Sequence, residues 1–387
     1  MKLASYAVDF KQSQGRAVEE PSADGRSPYQ RDRDRIIHSS AFRRLQYKTQ
    51  VMTNSEDGDF RTRLTHTLEV AQLSRSLARR LNLDDDLAEL CALAHDLGHP
   101  PFGHAGEDAL NEKMKNYGGF DHNLQTLSIV RKLECRYGNF DGLNLTWESL
   151  EGIGKHNGPF DKNIQNNALV KDLKPKTYAS LEAQIAALCD DIAYNHHDLD
   201  DGIATGKIQL EAAVAVPAVR RVWDEVLATY PKIERFRQVK ELVRRLIDKQ
   251  VRDALAATRS NLTLMKPQSV EDVRNAGKQI VSFSDKGGAE SDELKAFLFE
   301  HMYRHYEVNR QAFKAHKILN ELFDAFMTHK RLLPPYAQAR LAVAVADKTG
   351  AELEQKKARI VCDYLASLTD RSAVREYGRM FGEERWS

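Results

Sequence analysis

LAELCALAHDLGHPPFGHAGEDAL, residues 87–110, is the stretch on which the reading of this chain turns. Leu87, Leu90, Leu93 and Leu97 recur at the spacing of one helix face, and Gly98 then breaks the pattern. His95 and Asp96 stand where the helix stops and a loop begins, so both side chains are placed to project as ligands. Beyond them lies a dense packet of ionisable groups. Pro100 and Pro101 stiffen the exit, Gly103 and Gly106 let backbone come close to a ligand, and Glu107 opens a new helix, where an acid also favours the helix dipole.

Helical spacing extends outward from this segment. It recurs in Leu64, Leu68, Leu77 and Leu81 of RTRLTHTLEVAQLSRSLARRL (61–81), and in Leu181, Ile185, Leu188 and Ile192. Alternating, strand-like runs are nearly absent, so the expected fold is all-α. Breaks fall at Asn82, at Gly98–Pro101, at Tyr117–Asp121, over the glycine-rich 152–158 and over 284–290 (SDKGGAE). No repeat of 20 to 50 residues marks a solenoid. Residues 12–30 are polar and carry Pro21, Gly25 and Pro28, which predicts an extended or mobile arm over 1–30. One helical domain is expected over 31–387, with a metal-site core over about 60–205 and a helical scaffold over about 206–387.

The chain of 387 residues carries 57 basic and 56 acidic side chains, so no global field marks a general nucleic-acid or membrane-surface binder. The N-terminus has no long apolar run and no window approaches a membrane span, which leads to the expectation of a cytoplasmic protein. Cys91, Cys135, Cys189 and Cys362 form no CxxC pair, so any metal must use histidine and carboxylate. There is no GxxxxGK[ST] phosphate loop, and GIGKHNG is not a GxGxxG motif.

An HD dipeptide alone is weak evidence, since roughly one is expected by chance from composition; this chain has two. His197-Asp198, in NHHDLDDG, reads as a polar helix end with Asp198 to Asp201 in solvent. His95-Asp96 has better company. His66 sits in the middle of an amphipathic helix, where a histidine needs a reason. Asp190, Tyr194 and Asp198 follow at i, i+4 and i+8 on a face separate from Ile185, Leu188 and Ile192. His66, His95, Asp96 and Asp190 together make a donor set suited to Mn, Fe, Mg, Co or Zn. Arg63, Lys48, His122 and the Lys155-His156 pair are each read singly as surface charges; together they suggest an anionic substrate.

The segments RDRDRIIHSSAFRRLQYKTQV (31–51), RTRLTHTLEV (61–70), AHDLGHPPFGHAGEDAL (94–110), FDHNLQTL (120–127) and LEAQIAALCDDIAYNHHDLDDG (181–202) resemble the bacterial dGTP triphosphohydrolase family and its dGTPase-like branch within the HD superfamily. YRHYEVNRQAFKAHKIL (303–319) and CDYLASLTDRSA (362–373) also look like that branch. The resemblance implies an all-α HD fold and hydrolysis of a deoxynucleoside triphosphate to deoxynucleoside and inorganic triphosphate. By position it puts His66, His95, Asp96 and Asp190 on the metal ligands, and His104 with Glu107 on a catalytic pair. His122 falls on a phosphate-contacting or proton-transferring histidine and Arg63 on a phosphate-binding arginine. Gln50, Tyr194 and Asp198 fall on groups near the sugar, and Lys155 is a further cation for the triphosphate. The chain looks shorter than the namesake dGTPase, lacking much of its middle insertion, so the resemblance does not extend to strict dGTP preference and leaves the base open. The resemblance also implies a homo-oligomer, commonly a hexamer or tetramer; an allosteric dNTP and single-stranded DNA are further candidate partners.

The chemistry expected is attack of water at the α-phosphorus with departure of O5′, His104 acting as general acid and Glu107 setting its tautomer. Two other readings are another HD phosphohydrolase, either a nucleotide phosphomonoesterase or a phosphodiesterase, and a nucleotide or single-stranded-DNA sensor with a residual site. The sensor draws on the basic stretches Arg220-Arg221 and Lys240 to Arg252, which a solvated helix face also explains.

Overall fold

Local punctuation sets where the helices begin. Ser27 closes a capping box over α1 (Pro28–Ile37) with proline in the first turn, and Ser39 caps α2 (Ser40–Arg44). Thr62 closes a second capping box over α3 (Arg63–Arg80), and Asp84 caps α4 (Asp85–Ala94). The computed structural model describes residues 2–21, 25–50 and 61–382, and its described residues are helical with no strand beyond isolated bridges. The all-α class expected from the pattern holds.

α5 (Gly103–Met114), α6 (His122–Ser128), α7 (Trp147–Gly154) and the long α8 (Leu181–Ala204) complete the part around the His95-Asp96 loop. α3, α4, α7 and α8 enclose a core that includes Leu87, Leu90, Leu93, Ile185 and Ile192. α9 (Leu210–Ala215), α10 (Pro217–Thr229), α11 (Arg235–Met265), α12 (Val270–Arg274) and α13 (Asp285–Leu298) follow. Trp223, Val226, Leu242 and Leu298 form a second core with Leu199 at the end of α8. A π-helical turn, Phe299–Tyr303, leads into α14 (Tyr306–Thr328), α15 (Pro335–Val345), α16 (Gly350–Ala366) and α17 (Asp370–Phe381). A third core joins Leu110 and Met114 of α5 to Leu319, Phe323 and Phe326 of α14 and to Val361 and Leu365 of α16. Through α5, the C-terminal helices therefore pack directly on the element that follows the His95-Asp96 loop.

Several details depart from the sequence reading. On α3 the inward face carries His66, Val70 and Leu77, whereas Leu68 is 49% exposed. Gly152 and Gly154 lie inside α7 and Gly287 and Gly288 inside α13, where loops were expected. Close packing accounts for three of them: a Cβ on Gly152 would meet Cys91 Sγ, one on Gly154 would meet Leu127 and Phe160, and one on Gly287 would meet the Asp253 carboxylate. His197, Asp198 and Asp200 are buried rather than solvated: His197 packs on His66 and Glu69 of α3, the Tyr303 hydroxyl bonds Asp198, and Lys240 of α11 pairs with Asp200.

The N-terminal segment carries a short 3-10 turn, Phe10–Gln12, and is fastened to the helices; residues 22–24 of it lie outside the described residues. Val8 N–H donates to Glu182 at 2.9 Å, Gln14 N–H to Glu148 at 2.8 Å and Val18 N–H to Asn144 Oδ1 at 3.0 Å, while Arg16 pairs with buried Asp32. The first α-helix begins at Pro28, inside the segment expected to be an arm.

α7 and α12 are joined by a buried charge network. Glu151 accepts from Lys155 Nζ at 2.9 Å, from Arg274 Nε at 3.0 Å and from Arg274 Nη2 at 2.7 Å. All three residues are buried. Removing the carboxylate leaves buried Lys155 without a charge partner and Arg274 with Glu271 alone. Glu151→Ala is therefore expected to cost about 3–5 kcal/mol in urea unfolding, with Glu151→Gln costing less; an unchanged midpoint for the alanine variant would remove the network from the stability of this face.

Candidate metal centre and active site

Three helices deliver the cluster. α3 presents Arg63 and His66 from its first two turns, the end of α4 presents His95 and Asp96, and α8 presents Asp190 and Tyr194. His66 Nε2 lies 2.8 Å from Asp190 Oδ1, and His95 Nε2 lies 3.5 Å from the same oxygen and 3.4 Å from Asp96 Oδ1. Donor atoms of His66, His95 and Asp190 all fall within 4.8 Å of one another. Asp96 stands beside them with Oδ1 paired to Arg63 Nη1 at 2.8 Å. The structure thus brings together the residues singled out as ligands.

The donor set fits a divalent cation on its own chemistry. His95 Nε2 and Asp96 Oδ2 are buried without a hydrogen-bond partner, so polar atoms face the centre unsatisfied. Burial disfavours an imidazolium at His95, but Asp96 and Asp190 outweigh it and raise the pKa to about 9. Burial likewise works against the carboxylate of Asp96, yet Arg63, His95 and His66 hold it well below the usual range. A field that retains a proton here retains a metal ion, which must displace that proton to bind.

The exit loop is shaped by close approaches. A Cβ on Gly98 would lie 2.0 Å from the His122 carbonyl oxygen, and Gly98 N–H donates to Thr126 Oγ1 at 2.9 Å, which docks α6 on the loop. Phe102 adopts φ 69° and Gly103 φ 61°, a left-handed pair that turns the chain into α5 and sets His104 at a cavity. Phe102 N–H donates to Asp370 Oδ1 at 2.9 Å.

Beside the metal cluster lies a second group. His122 Nδ1 sits 2.9 Å from Glu107 Oε1, whose oxygen also accepts the His122 backbone N–H at 2.9 Å. His99 stacks on His122 with centroids 3.9 Å apart and reaches Asp96 Oδ1 at 3.2 Å, so it links the two groups. Glu107 therefore partners His122, and the expected Glu107–His104 pair is replaced. Burial opposes charge on both partners; their mutual bond nevertheless raises the His122 pKa and lowers that of Glu107. His104 makes ring contacts with His99 at 5.6 Å and Tyr194 at 6.2 Å and keeps an edge in solvent. Lost solvation on its inner side, then the Arg63 charge, lowers its pKa.

A cavity of about 400 Å³ opens here, within the range of small-ligand sites. Gln50, His104 and Tyr194 line one side, and Phe299, Tyr303 and Asn309 line the other. Asp198 is set behind it on the Tyr303 hydroxyl, and burial raises its pKa to about 8.

Two expected cations are used elsewhere. Lys155 is turned into the Glu151 network and bonds Thr177 Oγ1 at 2.8 Å, and Lys48 bonds the carbonyls of His99 and Ala366. Of the Lys155-His156 pair it is His156 that reaches the centre, with Nε2 3.3 Å from Asp190 Oδ2 and its ring stacked on His95. His99, His197 and Asp370 were not assigned roles from the sequence. The signal for His99 was its place three residues after Asp96 in the same loop. The basic stretch on α10 and α11 is laced with acids, as in Arg221–Glu290, Lys240–Asp200, Lys249–Glu225 and Arg252–Asp248.

An all-helical fold holding this His/Asp centre between α3, α4 and α8 defines the HD class. A family model described as an HD domain matches residues 63–195, and one described as a phosphohydrolase-associated domain matches residues 281–379. Curated proteins called deoxyguanosinetriphosphate triphosphohydrolase-like protein are similar over nearly the whole length. The Parvibaculum lavamentivorans relative is 49% identical, with 98% of this chain and 96% of the relative covered. Those of Brucella canis and Ralstonia nicotianae are each 50% identical, covering 98% and 99% of this chain and 95% of each relative. The chain belongs to the deoxyguanosinetriphosphate triphosphohydrolase-like family of HD phosphohydrolases. No helix among the described residues is long and apolar enough to cross a membrane.

Two outcomes follow from this geometry. His95→Ala is expected to lose bound divalent metal by elemental analysis, and retention of a full equivalent would exclude His95 as a ligand. Glu107→Gln removes the charge that raises His122, so the His122 titration followed by NMR should move down. The sign for stability is set by both shifts. The pair contributes fully between the ordinary glutamate and histidine pKa values; its contribution fades as pH falls through the lowered Glu107 value or rises through the raised His122 value.

Proposed function

We infer that this HD phosphohydrolase is a deoxynucleoside triphosphate triphosphohydrolase, converting a dNTP and water to deoxynucleoside and inorganic triphosphate. One observation carries the reading: Arg63 is fully buried, commits Nη1 to Asp96, and leaves Nε and Nη2 without a hydrogen-bond partner among the described residues. A buried guanidinium with two nitrogens left unpaired is matched by two oxygens of a tetrahedral oxyanion such as phosphate. The cavity at His104 offers room for the nucleoside attached to it. Similarity to relatives named for dGTP supports the same class, and the choice of base is left to experiment.

His66, His95, Asp96 and Asp190 would hold the ion. When bound, a divalent ion supplies Lewis acidity at the phosphorus and a nucleophile that is active at neutral pH. The remaining work falls to side chains. Arg63 and the His122 imidazolium neutralise phosphate oxygens and preorganise positive charge where it builds up. O5′ leaves badly as an alkoxide, and His104, which lines the cavity, would protonate it. The lowered His104 pKa favours the neutral ring in the free protein, and an adjacent polyanion reverses that balance. Glu107 acts on His122 and so tunes the phosphate side. Gln50, whose Oε1 is buried without a partner, and Tyr194 bracket the sugar.

Metal-loaded protein incubated with each dNTP, singly and mixed, is expected to yield deoxynucleoside and intact triphosphate by ion-exchange chromatography. Orthophosphate would point to another HD phosphohydrolase, and no product in any mixture would favour a sensor. His104→Ala should lower kcat by roughly 10²–10⁴ with metal retained; full activity would remove His104 as the acid.

A further inference from the structure

We propose that His197 and Glu69 form a hydrogen-bond relay that positions His66 and sets its tautomer for metal binding. The relay rests on His66 being a metal ligand and is independent of which phosphate ester is cleaved. His66 Nδ1 and His197 Nδ1 lie 3.1 Å apart with the rings nearly perpendicular, and both residues are buried. On the far side of the second ring, His197 Nε2 contacts Glu69 Oε2. Arg61 holds that carboxylate from outside, with Nε 3.3 Å from Glu69 Oε2 and Nη1 3.0 Å from Asp201.

The proton positions follow from donor and acceptor counting. Two imidazole nitrogens at hydrogen-bond distance share one proton, because two lone pairs or two N–H groups facing each other repel. His66 Nε2 faces His95 and Asp190, so that nitrogen supplies the lone pair for an ion. Its proton is then on Nδ1 and is donated to His197 Nδ1. His197 must accept there, so it carries its own proton on Nε2 and donates it to Glu69. Each group in the series Glu69, His197, His66 thus fixes the next, and the carboxylate at the end makes the ligand nitrogen more basic.

The same contacts fix where the ligand sits. His66 and Glu69 are one turn apart on α3, while Asp190 and His197 are two turns apart on α8. The His66 ring is gripped from α8 at both nitrogens, by Asp190 on one side and His197 on the other. Sliding of either helix would break one of these contacts.

His197 is a positioning residue on this account, and its variants separate hydrogen bonding from bulk. Asparagine places Oδ1 near the position of the imidazole Nδ1 and accepts from His66; phenylalanine fills the space and accepts nothing. Metal affinity would be measured by chelator competition with Co(II), together with the visible Co(II) spectrum, on wild type, His66→Ala, His197→Phe, His197→Asn and Glu69→Ala. His197→Phe is expected to weaken binding about 10- to 100-fold and to alter the spectrum, with His197→Asn restoring both and Glu69→Ala falling between. Glu69 is half-exposed, so its variant reports on the relay even if His197→Phe fails to fold. Wild-type affinity and spectrum in His197→Phe or in Glu69→Ala, or an asparagine variant as weak as phenylalanine, would overturn the relay. Undiminished affinity in His66→Ala would overturn the ligand assignment and the relay with it.

Discussion

Asp96 and Arg63, paired at 2.8 Å and both buried, are the contact around which the site is arranged. Neither charge is tolerable alone at that depth, and breaking such a pair by removing one partner costs about 3–5 kcal/mol. The pairing obliges the first turn of α3 to meet the end of α4. That meeting sets His66 beside His95 and leaves α8 to close the cluster with Asp190. The charges do not cancel. Two carboxylates stand against one guanidinium, which favours a divalent cation, while the free edge of the guanidinium favours an oxyanion next to it. One ion pair thus sets an unsatisfied carboxylate oxygen beside an unsatisfied guanidinium edge, an arrangement that suits a metal-assisted phosphohydrolase.

The C-terminal helices, which look like a scaffold, reach into this arrangement. The Asp370 carboxylate accepts from Thr49 N–H at 2.9 Å, from the Thr49 hydroxyl and from Phe102 N–H. It thereby holds the left-handed turn that presents His104 against the segment carrying Gln50. Lys48 adds a second tie, from the His99 carbonyl to that of Ala366 at 3.0 Å. Burial followed by the Arg44 charge brings the Lys48 pKa down to about 7. The Phe299–Tyr303 turn and α14 supply the far wall of the cavity. The region matched by the phosphohydrolase-associated model is therefore part of the site.

Much of this was legible in the chain itself because it depends on near neighbours. Leucine spacing and the Gly98 break depend on a few adjacent residues, and they located α3, α4 and the loop at His95-Asp96. The three-residue group His66, His95 and Asp190 was legible for a different reason: each is a ligand type in an otherwise apolar or uncrowded helical setting.

Charge partners were legible far less well, since a side chain's partner depends on what packs over it from elsewhere in the chain. Lys155 and His156 are adjacent, and only the presence of Glu151 and Thr177 on one side and Asp190 on the other sends the lysine away and the histidine inward. His197 and Asp198 read as a solvated helix end until α3 and Tyr303 are laid over them. Glu107 turned to His122 because α6 docks through Gly98 and Thr126. The sequence by itself determined an all-helical chain with a His/Asp metal set at a helix–loop junction, through spacing and residue type. Tertiary structure alone decided which imidazole, carboxylate and ammonium groups face one another, because desolvation and hydrogen-bond pairing are settled only when distant helices close over them.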